Sequence, residues 1–377
     1  MKTCSSENLV GGEISNEWTA IELTGIDRPG LFSEISAVLT ELKCNVVEAH
    51  AWSHNARIAC IVHVSDELTA GHINDPGRLA TIEDHLSTVL RADTTTSHDD
   101  LSGVATGSPS SDGAVTHTER RLHQLMLAER DFDTPISSPP HKGVDCDEGR
   151  KPIVSIDQCH AKGYSVVQVE CKDRPKLMFD TVCTLTDMQY AVFHASAVSH
   201  GSTASQTLKR ENEYRRWRRQ WLLLQEYYIR HMNGCSLNTE SEKQHVVKCL
   251  EAALERRVCE GILLELCAHD RVGLLSDITR LLREYGLAVV RADVVTHGEE
   301  AINVLYVRDI SGNTVNMEIV DSMRRALKPL TIEVKNESPR PGSTDRSYFS
   351  FGDMLKSQLA REPLPQLYFN KVRTFFL

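Results

Sequence analysis

The sequence predicts an α+β protein built from tandem ferredoxin-like β-α-β-β-α-β units with antiparallel sheets. A repeat and a shared order of hydrophobic patterns carry that expectation. Asp27-Arg28-Pro29-Gly30-Leu31-Phe32-Ser33-Glu34-Ile35 returns as Asp270-Arg271-Val272-Gly273-Leu274-Leu275-Ser276-Asp277-Ile278, and more loosely as Asp173-Arg174-Pro175-Lys176-Leu177. Eight of the sixteen positions from Asp27 and from Asp270 are identical, and the register runs on without a gap to set Val46-Val47 against Val289-Val290, His54 against His297 and Asp66 against Asp309.

Each copy opens with an apolar, β-branched run, Ala20 to Leu23, Ser165 to Val169 and Ile262 to Leu266, which reads as a strand. After the Asp-Arg turn, Leu31, Ile35, Val38, Leu39 and Leu42 recur at helical spacing on one face, as do Leu274, Ile278, Leu281 and Leu282. Two strands follow as a hairpin: Val46 to Trp52 and Ile58 to Val64 across His54-Asn55 in the first copy, Ala288 to Val295 and Ile302 to Val307 across Gly298 in the third. A second helix, Pro76 to Leu90 or Val315 to Leu327, comes next, and Leu330 to Val334 closes the third copy. Nothing near Leu90 reads as a closing strand for the first copy, so Pro152 to Ile156 is expected to supply it late. A unit of this size leaves an edge or face bare, and tandem copies are expected to cover one another by edge pairing or helix packing.

The expected divisions are 1–17 as a disordered N-terminus, 18–92 as the first unit and 93–150 as a Ser-, Asp-, Gly- and Pro-rich linker. The second unit is expected over 151–250, the third over 258–337, and a disordered tail over 338–377. The linker contains a short helix in Thr118 to Leu127, with Leu122, Leu125 and Met126 at helical spacing. In the second copy 33 residues separate His200 from Asn233, where 12 separate His54 from Asp66, an excess of 21 that places an insert at about 207–224.

Composition narrows the function classes. With 42 Lys+Arg against 52 Asp+Glu the net charge is −10, so nucleic acid is not the expected partner of the whole chain. No apolar run reaches the length of a membrane span, and Met1 to Trp18 lacks the apolar stretch of a secretory signal, so the expected location is intracellular, in cytoplasm or nucleus. Eleven cysteines without a Cys-x-x-Cys pair read as small buried hydrophobes rather than a disulfide framework or zinc ribbon. Walker-type and dinucleotide phosphate loops, the Gly-x-Ser-x-Gly elbow and His-Glu-x-x-His are all absent from the sequence, so no catalysis and no cofactor are expected.

The Asp-Arg-Pro-Gly-Leu openings, together with Glu119-Arg120-Arg121-Leu122-His123-Gln124-Leu125 and Asp187-Met188-Gln189-Tyr190, resemble the plant ACT-domain-repeat proteins from about Trp18 to Val334. That resemblance implies small regulatory modules that bind a free amino acid where units meet, acting as an allosteric sensor, with a homodimer or a regulated enzyme as partner through unit-to-unit pairing. Such proteins usually carry four units. Only 17 residues precede the first strand here, so the unit normally found first is expected to be missing.

The turns are the expected ligand contacts. Asp27, Arg28, Gly30 and Leu31, and likewise Asp270, Arg271, Gly273 and Leu274, lie where a strand passes into a helix. Glycine lets a bound group approach the backbone, and the first-turn N–H groups favour an anion such as an amino-acid carboxylate, by about 0.3 to 1 kcal/mol for the dipole alone. The resemblance adds that the acidic position can contact the ligand's amino group. The competing reading is a tight turn whose Asp caps its helix. Lys176 stands where the other copies have glycine, so that copy is expected to bind least well or to serve structurally.

Other features take plainer readings. His54, His200 and His297 share one hairpin position and read as polar turn residues, since a zinc ion needs three or four converging ligands. His269-Asp270, suggestive of a metal-dependent phosphohydrolase, aligns with Ile26-Asp27 and is the strand end of the repeat. Lys209-Arg210 and Arg215-Arg216-Trp217-Arg218-Arg219 with Trp221 could meet RNA, an anionic membrane or an import receptor, but a solvated excursion is the favoured reading. The leading expectation is a non-catalytic amino-acid-binding regulator. Its rivals are a regulatory fragment related to a uridylyltransferase-type nitrogen-sensing enzyme, which Ile153 to Ile156 and Tyr164 to Val169 also resemble, and a ligand-free interaction scaffold.

Overall fold

The computed structural model describes residues 18–91, 103–107, 117–133, 151–159, 162–200, 222–258, 261–311, 315–326 and 331–335. The expected disordered termini and the basic, aromatic part of the insert lie outside them.

The first unit runs β1 (Thr19–Ile26), α1 (Leu31–Glu41), β2 (Cys44–His54), β3 (Arg57–Asp66), α2 (Pro76–Arg91) and β4 (Gly103–Gly107). Helix α3 (Thr118–Ala128) follows. The second comprises β5 (Ile153–Cys159), β6 (Tyr164–Lys172), α4 (Leu177–Asp187), β7 (Tyr190–His200), β8 (Leu222–His231) and α5 (Glu240–Glu255). The third is β9 (Ile262–His269), α6 (Leu274–Glu284), β10 (Leu287–His297), β11 (Glu300–Asp309), α7 (Met317–Ala326) and β12 (Thr331–Lys335). The chain is thus α+β, with β-α-β-β-α-β-like units and antiparallel sheets.

Two expectations change. The closing strand of the first unit is β4, which pairs with β1 from Gly103 opposite Thr24 to Gly107 opposite Ala20. Its sequence, Gly-Val-Ala-Thr-Gly, has no apolar run. The backbone edge of β1 recruits it, and Val104 alone packs on the core. The Ile153–Ile156 run pairs instead with β6, so the second unit receives its edge strand before its first central strand. Leu222 to Leu224, assigned to the insert, begin β8 opposite Lys172 to Glu170, with Leu223 buried.

The pairing is not between neighbours in sequence. The first and third units share an eight-stranded sheet, β12-β9-β11-β10-β2-β3-β1-β4, while β5-β6-β8-β7 forms a separate sheet. Strands β2 and β10 join antiparallel, Glu48 to Trp52 against Val295 to Arg291. On one face α1 packs against α6, and a single core runs from Ile21 and Leu86 to Leu264 and Met323. The axis of this pseudo-two-fold arrangement is marked by residue pairs 243 positions apart. Ser36 Oγ meets Thr279 Oγ1 at 2.8 Å between the helices, and His50 Nδ1 meets Asp293 Oδ1 at 2.8 Å in the sheet. His50 Nε2 reaches Glu48 at 2.8 Å, so both ring nitrogens face carboxylates and both carry a proton. Burial opposes that charge, but the hydrogen bonds to Asp293 and Glu48 outweigh it and hold the pKa at about 9.

Helix α3 fixes the second unit to the open face of the shared sheet. Its Leu122, Leu125 and Met126 bury against Trp52, Ala59 and Ile61. Its polar flank enters a buried ionic network. Arg256, just past α5, binds Asp131 in a two-pronged contact of 2.7 and 2.6 Å, with both side chains fully buried. Arg257 binds Asp180 at 2.8 and 2.9 Å and Glu119 at 2.9 Å, and its guanidinium lies 4.8 Å from the Trp52 ring centre. Arg256 also donates to His123 Nδ1 at 2.9 Å, so His123 Nε2 carries the hydrogen that Asp180 accepts at 2.9 Å. That ring is neutral: burial lowers its pKa, and the two nearby guanidiniums lower it further. His54, expected as a polar turn residue, ends β2 beside the hairpin turn, and Asp131 at 3.0 Å and Glu255 at 3.4 Å enclose it.

Two outcomes are expected. His50 is more basic folded than unfolded, so its contribution is full below pH about 6.5 and is lost as pH rises through about 9. The melting temperature should fall across that window, and His50→Gln should flatten the fall. Arg256→Ala leaves the Asp131 carboxylate buried without its cation and should cost roughly 3–5 kcal/mol by urea unfolding, much of it regained by Arg256→Met with Asp131→Leu.

Candidate ligand cleft between the first and third units

All three strand-to-helix turns are built alike. Residue 30, 176 or 273 takes the left-handed conformation at the helix N-cap, with φ of 87°, 63° and 81°, and no side chain caps the helix. The N-cap residue is thus not the aspartate three positions earlier, and the turn itself is tight, with Leu31 N–H donating to Arg28 O and Leu274 N–H to Arg271 O at 3.1 Å. The arginine of each turn bends back to the acid six residues on: Arg28 to Glu34, Arg174 to Asp180 at 2.7 Å, and Arg271 to Asp277. Arg28 and Arg271 therefore latch their loops.

The structure gathers Asp270, Arg271, Gly273 and Leu274 on one side of a narrow cleft at the boundary between the first and third units. Ser36 and Thr40 of α1 and Asn45 of β2 form the other side, and Thr296 and Asn303 line the sheet floor. Asn45 donates to Asp270 at 3.3 Å across the boundary. The Thr296 hydroxyl oxygen is buried and has no hydrogen-bond partner among the described residues. A carboxylate, an amide, a hydroxyl and the N-terminus of α6 thus converge on one opening.

The pseudo-symmetric position, at Asp27, Arg28, Gly30 and Leu31, is closed. Arg283 stands where the other side has Thr40, and its side chain covers Gly30 so closely that an added Cβ would lie 2.7 Å from Cδ. Ser53 donates to Asp27, whereas the matching Thr296 is left unpaired. Desolvation raises the Asp27 pKa despite that bond, and Leu31 is wholly in the core. The turn of the second unit is also engaged from within, because Lys176 Nζ binds Glu119 of α3 at 2.5 Å. Sequence reading found the turns but not Thr40, Asn45, Arg283 or Thr296, which act across a boundary between units that the repeat alone does not reveal. The signal was there in the aligned copies, where Thr40 falls on Arg283. No group of three His, Cys, Asp or Glu side chains that could hold a metal ion occurs among the described residues, and no described helix is long and apolar enough to cross a membrane.

Two small β-α-β-β-α-β-like units that share one sheet and line a polar cleft at their boundary define the class, a tandem-repeat α+β protein with a candidate ligand cleft. Comparison with known proteins gives the family. Residues 262–321 match the ACT domain. The chain is 50% identical over 379 residues to the ACT domain-containing protein ACR2 of Arabidopsis thaliana, covering 92% of this chain and 72% of that protein. It is 45% identical over 362 residues to the ACT domain-containing protein ACR3 of the same plant, covering 93% and 74%. The chain belongs to the ACT-domain-repeat family of ACT domain-containing proteins. A bifunctional uridylyltransferase/uridylyl-removing enzyme of Bradyrhizobium diazoefficiens is 33% identical over 87 residues, 23% of this chain and 9% of that protein.

The left-handed turns set a further expectation. Gly273→Ala should cost about 1–2 kcal/mol by denaturant unfolding, since the new Cβ must adopt that conformation. Gly30→Ala should cost a similar amount: its Cβ meets Arg283 Cδ at 2.7 Å, but that half-exposed side chain can swing aside, while the Cβ at Gly273 meets Thr40 Cγ2 at 3.1 Å.

Proposed function

We propose that the protein is a non-catalytic amino-acid-binding regulator, and that the cleft at Asp270 is its effector site. The observation that carries this reading is the unpaired, buried Thr296 hydroxyl beside Asp270, in a cleft whose symmetry mate is filled by the protein's own Arg283. A buried hydroxyl without a partner costs free energy that a bound polar group recovers. In the proposed complex the α-ammonium of the ligand lies at Asp270, displacing or sharing Asn45. The α-carboxylate lies at the N-terminus of α6, and Thr296 donates to it or accepts from the ammonium.

Such a ligand touches Asn45 of one unit and Asp270 of another, so its affinity depends on how β2 and β10 are joined. Regulation follows if the ligand prefers one arrangement of the two units over another, and a tenfold preference biases that equilibrium by about 1.4 kcal/mol. The members of the family compared above are named for their ACT domains rather than for an enzymatic activity, which agrees with a binding role.

Titration calorimetry against the twenty amino acids tests the reading. One or two should bind with one site per chain. Asp270→Asn should weaken binding by about tenfold or more, and Arg283→Thr should open the second cleft and raise the stoichiometry toward two. A flat panel for the intact chain would remove the sensing role and leave an interaction scaffold.

A further inference from the structure

The sheet of the second unit carries a cluster of rings on the face turned away from its helices. Val167 and Val169 of β6 and Tyr227 and Ile229 of β8 are buried with Leu185 of α4 and Leu250 of α5. Side chains alternate along a strand, so Tyr164 of β6 and Tyr228 and Arg230 of β8 stand on the opposite face. Phe193, in the bulge of β7, and His194, opposite Tyr228, join them there. Tyr164 lies 5.5 Å from Phe193 and 5.5 Å from Tyr228 between ring centres, and Phe193 lies 6.3 Å from Tyr228, each pair edge to face. His194 meets Tyr228 at 5.0 Å, and the Arg230 guanidinium lies 5.6 Å from the centre of the Phe193 ring.

The fold does not require this cluster. The matching bulge residue is Val47 in β2 and Val290 in β10. The open face of the first unit is roofed by α3, which buries Trp52, Ala59 and Ile61. The rings of the second unit stay within reach of solvent: Phe193 is 45% exposed, His194 and Arg230 are exposed, and Tyr164 and Tyr228 are half-buried. The order β5-β6-β8-β7 puts the two tyrosines on the two central strands.

We propose that this face binds single-stranded RNA, with bases stacked on Tyr164, Phe193 and Tyr228 and a phosphate met by Arg230. Every base has a π-face, so closely spaced rings on an open four-stranded sheet make a stacking surface that tolerates any sequence. Arg230 adds a planar cation beside the rings. The acid two residues before Tyr228, Glu226, is held along the sheet by Gln168 and Ser196, each at 3.4 Å. Phenolic hydroxyls on two of the three rings can meet a ribose 2′-hydroxyl, which favours RNA over DNA. The net charge of −10 sets the whole chain aside as a phosphate binder, but not a local face whose contacts come mainly from rings. This inference is independent of what the cleft at Asp270 binds.

Fluorescence anisotropy of a labelled, unstructured oligouridylate against the full chain tests it. Binding with a Kd of about 10–100 µM is expected, falling less than about tenfold between 50 and 200 mM salt because few phosphates are neutralised. Tyr228→Ala and Phe193→Ala should each weaken it about fivefold or more, whereas Tyr228→Phe should keep most of it. Arg230→Ala should flatten the salt dependence. An RNA duplex and the matching oligodeoxynucleotide should bind less well. Unfolding midpoints of the four variants should stay near that of the parent, so that lost binding reports the lost ring. No binding of the oligouridylate, binding indifferent to both alanine variants, preference for the DNA strand, or capture of a proline-rich peptide by these rings in place of RNA would overturn the proposal.

Discussion

An antiparallel sheet ends in a row of backbone donors and acceptors that must find partners, and in this protein that demand organises everything else. A unit of this size cannot bury enough surface alone to make a bare edge harmless. Joining β2 to β10 extends the sheet, lays α1 on α6 and merges two small cores into one. The choice of partner is electrostatic as well as geometric. The imidazolium of His50 fits between Asp293 and Glu48, a fit that neither strand could make with its own duplicate.

The cleft is a by-product of that joint. Two-fold symmetry alone would give two equal openings, one at each strand-to-helix turn. Residue differences break the symmetry. Arg283 fills one opening while its equivalent, Thr40, is too short to fill the other. Ser53 satisfies Asp27, while Thr296 and Asp270 remain apart and Asp270 turns to Asn45. The duplicated unit thus supplies a scaffold with two positions, and substitutions on the facing helix decide which stays open.

The helices, the hairpins and the three turns were legible in the sequence because local periodicity and glycine chemistry dictate them. Features set by distant groups were not. Strand β4 has too few apolar residues to announce itself and exists because β1 offers it an edge. Strand β5 showed its apolar residues but not its unit, since either of two central strands could have taken it. His54 looked like a turn residue because Asp131 and Glu255 reach it from 77 and 201 positions away. The site was half visible: its glycine and aspartate belong to the repeat, whereas its other wall is defined by pairing the first unit with the third.

That pairing has a cost in time. The two sides of the joint, His50 and Asp293, are separated by 243 positions of chain. A ribosome adding about 5–20 residues per second leaves the first sheet unfinished for roughly 10–50 s before its partner emerges. Throughout that interval the nascent polypeptide offers a β2 edge that any stray strand could capture, including the one from the intervening unit. Faithful biogenesis therefore depends on keeping that early edge occupied or shielded until translation delivers its mate.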